Sequence, residues 1–403
     1  MKKIVTMGEL GIIITGNTPP RSNPKLYGNY IPFIKATDIS ETEKYTYHPE
    51  EYYSEEGYNK YIRSLIPKGS ICVVTIGSIG KKMTMAHCDL FINQAMNAII
   101  PNENFDNEYV YYAVKNILPN IRMLDSGTAS GRENVSKSAF SKMQILIEDN
   151  IITQRRIAEI LSRYDSLIEN YQKQIKLLEE SAQRLYKEWF VDLRFPGYEN
   201  TKIVDGVPEG WEKKQINDIC SLIASGGTPS RNNKSFWDNG NIKWVKTKEL
   251  NDTWIIDTEE YITETGLNNS SAKIFPTNTI LMAIYASPTL GRLGILVHEA
   301  CCNQAALGFI PNEFVSWQWL FYKLYELRDK FNSIARGAGQ QNISAIVVKE
   351  TEIVVPEKNI IDKYTSLVTE IFNRQRTIIC EIKLLTEARD RLLPKLMSGE
   401  IEV

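Results

Sequence analysis

Polar side chains set beside glycine, in short turn-like segments, are where this chain could do chemistry. Toward the N-terminus they are Thr18, Arg21, Lys35, Thr37, Lys81, Lys82, Ser130, Arg132 and Asn134. Further along they are Thr228, Arg231, Lys246, Lys248, Arg292, Arg336, Gln340, Gln341 and Asn342. Lysine, arginine, serine and threonine hold phosphates, arginine suits the edge of guanine, and asparagine or glutamine suits adenine. The plain alternative for each is a solvated surface residue or a loop cap, and Asn134 and Asn342 also suit a turn into a following strand. Catalytic patterns are missing by comparison. Gly77-Ser78-Ile79-Gly80-Lys81-Lys82 approaches a phosphate loop, but the Gly-x4-Gly-Lys-Ser/Thr spacing fails at Thr75 and Lys82, which leaves a tight turn with exposed lysines. His87-Cys88, and His298 near Cys301-Cys302, have no Cys-x2-Cys partner for zinc. With three histidines and no Ser/His/Asp constellation, the expectation is no active site, no metal and no cofactor.

Composition sets the bounds. A chain of 403 residues, 43% hydrophobic and 24% charged, reads as an ordinary soluble protein of two or three domains. The net charge of −2 excludes a uniformly basic nucleic-acid binder, so any DNA-binding surface must be a local patch. The six cysteines show no paired spacing, the opening Met-Lys-Lys leads into no secretory core, and no apolar run is long enough for a membrane span. A reducing cytoplasm is the expected location.

The positioning elements emerge from an internal repeat. Gly16-Asn17-Thr18-Pro19-Pro20-Arg21 is answered by Gly226-Gly227-Thr228-Pro229-Ser230-Arg231, and Ile31–Ile39 by Ile242–Leu250. Asn93-Gln94-Ala95 recurs as Asn303-Gln304-Ala305, and Ile100-Pro101-Asn102-Glu103 as Ile310-Pro311-Asn312-Glu313. Gly131-Arg132-Glu133-Asn134-Val135-Ser136 recurs as Gly339-Gln340-Gln341-Asn342-Ile343-Ser344. Within each copy, short β-branched runs at Ile71–Ile76, Ala98–Ile100, Thr279–Ile284, Gly294–Val297 and Ile353–Val355 read as strands. Glu108–Asn116 and Ser316–Lys330 read as helices. Each copy is therefore an α+β unit of roughly 150 residues, within the usual domain range.

A long helix follows each copy. Ile157, Leu161, Tyr164, Ile168, Tyr171, Ile175, Leu178, Ala182, Leu185 and Trp189 keep a 4-3 spacing, the seam of a helix packed on another helix. Tyr364, Val368, Ile371, Gln375, Ile378, Ile382, Leu385, Arg389, Leu392 and Leu396 keep the same phase. Gln375 and Arg389 interrupt the second seam, either as buried polar residues that fix register or at a solvent-open edge. Helix one should start near Asp149 and helix two just after Pro356, and Pro394 should end or kink the second. About 40 helical residues span on the order of 60 Å, so a short link favours antiparallel pairing and an approximate two-fold relation between the copies. Two like modules at a fixed separation suit duplex DNA read at half-sites about 34 Å apart.

Nearly the whole chain now resembles a known family. The double repeat, Thr153-Gln154-Arg155-Arg156-Ile157-Ala158-Glu159-Ile160-Leu161, Arg184-Leu185-Tyr186-Lys187-Glu188-Trp189-Phe190, and Leu393-Pro394-Lys395-Leu396-Met397-Ser398-Gly399-Glu400-Ile401 are similar to the DNA specificity subunit of type I restriction–modification systems. The resemblance implies two target-recognition domains, one per half of a bipartite site, separated by helical regions that set the spacing and dock methyltransferase subunits. The loop at Gly339–Ser344 resembles one near the end of such a domain, while Gly131–Ser136 departs from that pattern. It implies an α+β fold with two similar globular domains separated by a pair of long antiparallel coiled-coil helices, pseudo-two-fold. The division would be domain one at 1–148, helical region one at 149–192, a linker at 193–208, domain two at 209–356 and helical region two at 357–403. Expected partners are double-stranded DNA, methyltransferase subunits in two copies, and restriction subunits. A free-standing adenine methyltransferase is disfavoured: its Gly-rich cofactor turn and Asn/Asp-Pro-Pro-aromatic tetrad are absent, and Thr18-Pro19-Pro20-Arg21 is not that tetrad. The other alternative is a protein–protein scaffold carrying two binding modules on a coiled-coil spacer.

Overall fold

Two sets of strands with the same connectivity organise the chain. The computed structural model describes residues 2–125, 133–285, 289–335 and 342–403. They fall into two units, Met1–Asn170 with Lys383–Val403, and Tyr171–Ile382, so the division passes inside both long helices.

In the first unit an antiparallel sheet has the order Gly11–Thr15, Met96–Pro101, Ile71–Val74, Met83–Met85. A second sheet runs Tyr27–Gly28, Glu51–Tyr53, Ile31–Ile34, Phe91–Ile92, its last pairing parallel. The second unit repeats both. Cys220–Ser225, Ala306–Pro311, Ile280–Ala283 and Leu293–Leu296 form the first sheet, extended by a parallel fifth strand, Thr253–Ile255. Glu260–Ile262, Ile242–Val245 and Cys301–Cys302 form the other. Each unit adds a two-stranded ribbon that leads into its long helix, Lys2–Thr6 with Gln144–Glu148 and Glu212–Gln215 with Glu352–Val355. Ile71–Val74 and Ile280–Ala283 are buried on both faces, which is why they read as continuous apolar runs without alternation.

Side-chain caps fix where the helices begin. Asp106 accepts from the Tyr109 amide at 3.0 Å and starts Asn107–Ile117. Ser316 does the same for Trp317–Glu326. The expected single helix over Ser316–Lys330 is two, Trp317–Glu326 and Arg328–Ile334, with the break at Leu327. The first long helix is Ile151–Tyr186, and Asn150 receives the Ile152 amide at 2.8 Å. Buried Gln154 donates to the Glu148 carbonyl and accepts from the Asp106 amide, locking the helix start to its own module. A π-helical turn, Lys187–Val191, ends it. The second long helix, Lys358–Ser398, runs on through Pro394, so of the two effects expected of that proline, an end or a kink, the end does not occur there. Proline in the final turns forfeits a single backbone hydrogen bond, and Leu393, Leu396 and Met397 are buried against the first unit's core.

Within each unit the two helix segments run antiparallel. In the first unit Ile157 shares a core with Leu396 and Met397, while Asp165, further along, meets Arg389. In the second, Tyr171 hydrogen-bonds Glu381, which pushes its hydroxyl pKa up, and Tyr186 lies 6.3 Å from Tyr364. The seam itself is less regular than a strict heptad. Ile157, Leu161, Ile168, Tyr364, Val368 and Ile378 are buried, but Tyr164, Tyr171, Ile175, Leu178, Leu185, Ile382 and Leu385 are only half-buried. Phe372 and Leu393 take the inward positions expected for Ile371 and Leu392. A straight helix drifts about 20° per heptad against a 3.5-residue repeat, so its inward stripe slips by one residue. Gln375 and Arg389 are buried, at 3% and 4% exposure, which excludes the solvent-open edge.

Candidate nucleic-acid interface

Four of the repeated segments come together in each unit because the sheet order makes their turns neighbours. The Gly16 amide donates to the Met96 carbonyl and the Asn17 amide to Ile92, so the Gly16–Arg21 loop leaves its strand against Asn93-Gln94-Ala95. The Ala95 carbonyl accepts from Thr75 and Ile76, and Ile76 bridges Asn134. The second unit repeats this: Gly226 to Ala306, Gly227 to Cys302, Ile284 to Ala305, and a bridge between Tyr285 and Asn342. The loops are pinned by buried or half-buried aromatic donors. Tyr27 and Tyr53 donate to the carbonyls of Pro19 and Asn17, and Trp244 and Trp237 to those of Gly227 and Ser230.

The candidate residues divide according to what they touch. Thr18 and Thr228 donate to the side-chain oxygens of Gln94 and Gln304. Arg21 pairs with Glu51 at 2.9 Å and lies 4.7 Å over Tyr27, and Arg231 pairs with Glu260 at 2.6 Å and lies 3.6 Å over Trp237. Lys35 binds Glu50 and, at 3.4 Å, Glu51, while Lys246 binds Glu259 at 3.0 Å and Glu260 at 3.1 Å. Lys248 is exposed and also pairs with Glu259, at 2.5 Å. Thr37 is exposed in the turn that Asp38 closes on the Lys35 amide. Thus Thr18, Arg21 and Lys35, like Thr228, Arg231 and Lys246, form one cluster, but their cations are already engaged by carboxylates of their own unit. The hydrogen bond from Arg21, with Lys35 adding to it, holds the Glu51 carboxyl below its ordinary range. Burial pushes the Glu260 carboxyl up, yet the bonds from Arg231 and Lys246 outweigh it and the net shift is downward.

Lys81, exposed, and Lys82, half-buried, sit on the hairpin turn between Ile71–Val74 and Met83–Met85, which is the segment that resembled a phosphate loop. Arg292 sits on the matching turn, before Leu293–Leu296. Among the described residues these three have no ion pair. Asn134 and Asn342 precede short helices capped by Ser136 and Ser344, not the strand expected after them. Ser130, Arg132, Arg336, Gln340 and Gln341 lie outside the described residues.

Reading the sequence missed the partners: Gln94 and Gln304, Glu50, Glu51, Glu259 and Glu260, and the aromatic seats Tyr27 and Trp237. The repeated Asn-Gln-Ala was a usable signal for the glutamines. The carboxylates had none: Glu51 and Glu260 stand 30 and 29 residues from the arginines they hold, and Glu50 and Glu259 stand 15 and 13 residues from Lys35 and Lys246. A carboxylate here competes with phosphate for the same cation. Glu51→Gln and Glu260→Gln are therefore expected to steepen the salt dependence of duplex binding, the slope of log K against log salt growing by up to about 0.9 for each additional phosphate neutralised. An unchanged slope in both variants would place these arginines outside the interface.

Among the described residues no group of three or more His, Cys, Asp or Glu side chains could hold a metal ion, and no helix is long and apolar enough to cross a membrane. The sequence model described as Type I restriction modification DNA specificity domain matches residues 2–180 and 208–383. The MjaIX type I restriction enzyme specificity subunit of Methanocaldococcus jannaschii is 27% identical over 425 aligned residues, covering 100% of this chain and 93% of that one. The HindI specificity subunit of Haemophilus influenzae is 26% identical, covering 70% of this chain and 74% of its own length. A crystal structure of a type I restriction–modification S subunit from M. genitalium shares the fold with a TM-score of 0.61 at 17% identity, covering 98% of this chain and 96% of that one. With both halves matched, and matched loops built into both units, the chain belongs to the type I restriction modification DNA specificity family.

Proposed function

We propose that the chain is the sequence-reading, non-catalytic subunit of a type I restriction–modification assembly, each unit reading one half of a bipartite duplex site. The observation that supports this most is the duplicated loop cluster: the same four turns, pinned by the same kinds of hydrogen bond, hold a common Thr, Arg and Lys in both units, while positions beside them differ, Thr37 against Lys248 and Lys81 against Gly291. A shared frame with divergent polar tips is what reading two different half-sites requires. In this reading the rim cations Lys81, Lys82 and Arg292 contact phosphate, with Thr37 and Lys248 beside them. Thr18, Arg21, Lys35, Thr228, Arg231 and Lys246 shape the reading surface, Asn134 and Asn342 mark its edge, and Ser130, Arg132, Arg336, Gln340 and Gln341 are further candidates for contact with the duplex.

The functional division we assign is 1–148 and 209–356 for the reading domains, 149–192 and 357–403 for the helical regions, and 193–208 for the linker. Two methyltransferase subunits would dock on the helical regions, restriction subunits would join through them, and adenine methylation and ATP-driven cleavage would lie with those chains. The setting would be the cytoplasm.

Enrichment of random duplexes by the purified chain, alone and with methyltransferase subunits, is the direct test, and a split consensus of two short elements around a fixed gap is the expected result. Removing one heptad from each long helix shortens the spacer by about 10 Å, or about 3 base pairs. The gap in the consensus should shrink accordingly or recognition should vanish. An unaltered gap would eliminate the helices as the ruler, and a chain with no duplex preference would leave a protein scaffold as the reading.

A further inference from the structure

The two units differ sharply at one place behind their sheets, where the long helices pack. In the first unit the Lys44 ammonium lies 5.2, 5.2 and 5.1 Å from the ring centres of Tyr45, Tyr111 and Tyr112 and pairs with Glu108. Its side chain is 7% exposed. A cation held over ring faces and shielded from water is attracted by the quadrupole of each ring. Strand register identifies the matched positions in the second unit. Tyr45 bridges Met85 as Trp254 pairs with Ile295, and Asp106 caps its helix as Ser316 does. Tyr45, Tyr111 and Tyr112 thus correspond to Trp254, Phe321 and Tyr322, and Lys44 corresponds to Thr253.

The second unit therefore keeps the aromatic cage and lacks the lysine that fills it. The difference leaves a cavity of about 110 Å³, whose lining includes Thr253, Trp254, Phe321, Tyr322, Glu179 and Gln375. The other buried cations of the first unit, Lys115 and Arg389, have Tyr325 and Ala182 at their matched positions; the second unit's own nearby cations are Arg328, which lies over Tyr325 and is held by Asp252, and Arg376, whose guanidinium stands 6.0 Å from the Trp254 ring centre. Three residues of the lining have polar groups without partners among the described residues, the buried Trp254 indole nitrogen being one. Gln375 is 3% exposed and its amide nitrogen makes no hydrogen bond, although its first-unit match is Ile168, which needs none. The Glu179 carboxylate, where the first unit has Thr386, has no cation on it, and burial, with neighbouring Asp252 adding to it, pushes its pKa up. Asp252 itself is held by Arg328 at 3.0 Å. A buried amide and a half-buried carboxylate without partners cost stability unless something bonds to them.

We propose that this cavity binds a primary alkylammonium group, its charge over Trp254, Phe321 and Tyr322 and against Glu179, with Gln375 turning its amide to meet it. The ligand takes the place that Lys44 occupies in the other unit. Such a group comes either from a free small amine or from a lysine side chain of a partner protein, and both present the same chemistry to the cage.

Calorimetric titration of the full-length chain with n-butylammonium tests this, with n-butanol as the neutral isostere and an amide-capped lysine as the chain-borne form. Saturable binding of n-butylammonium with a Kd of about 1 mM or tighter, at least about tenfold better than butanol, is expected for a ligand of this size. Equal binding of capped lysine assigns the site to a protein side chain, and its exclusion assigns it to a free amine. Thr253→Lys supplies the missing side chain internally, so it should raise the thermal midpoint and weaken n-butylammonium binding at least about tenfold. Should that variant fail to fold, Glu179→Gln decides, since it removes the charge alone and should erase the preference over butanol. Butanol binding as well as the amine, no saturable heat, or amine binding unchanged in both variants overturns the proposal. None of these outcomes bears on duplex recognition, which is measured separately.

Discussion

Arg389→Ala is expected to destabilise the first unit by about 3–5 kcal/mol, the loss typical when one member of a buried ion pair is removed. Arg389 donates to Asp165 at 2.6 Å, and the two side chains are only 5% and 8% exposed. Tyr112 donates to the other Asp165 oxygen at 2.6 Å, and Arg389 also reaches Asp390 at 2.8 Å. Without the guanidinium, Asp165 keeps one hydrogen bond and a charge it cannot solvate, in a region where burial already lowers the pKa of Lys115. Urea unfolding followed by two probes, one reporting on each unit, would show the loss in the first unit's transition. The double replacement Asp165→Leu with Arg389→Met should recover most of it, because a well-packed apolar pair avoids the desolvation cost altogether. The second unit has Phe372 and Ala182 at the matched positions, which shows that the fold tolerates the apolar solution. A loss under about 1 kcal/mol would mean that the pair behaves as a surface ion pair.

Gly226→Ala is expected to cost about 1–3 kcal/mol by overpacking and to erase discrimination in one half of the recognised site. A Cβ at this position would stand 2.1 Å from the Cys302 carbonyl oxygen and 2.6 Å from that of Asn303, both backbone atoms with little room to yield. The loop must then lift off Asn303-Gln304-Ala305, carrying Thr228 and Arg231 away from Gln304 and Glu260. Since a good base contact is worth about 1–3 kcal/mol, the half-site read by this unit should lose one to two orders of magnitude in preference while the other half stays intact. Gly16→Ala, with its Cβ 2.1 Å from the Asn93 carbonyl oxygen, should do the converse. Comparing the enriched duplexes of the two variants half by half checks both at once. Equal weakening of both halves in either variant would contradict the assignment of one half to each unit.

Duplication, the α+β character of each copy, and long helices that pack antiparallel along an apolar stripe were all determined by the sequence alone. They rest on periodicity and on repeated words such as Asn-Gln-Ala, which are local and survive without coordinates. The same words marked the loops that converge, because their place at strand ends is set by strand order, and strand order was duplicated too. Only the tertiary structure decided what those loops offer. Arg21 and Arg231 look like free phosphate ligands in the sequence, yet each is seated on an aromatic ring and held by a glutamate some 30 residues away. The drift that brings Phe372 inward in place of Ile371 depends on the helix staying straight, and the fates of Lys44 and Thr253 depend on rings contributed by a helix far along the chain. Ion pairs, cages and cavities are properties of side chains that meet across large sequence separations, so no local pattern records them.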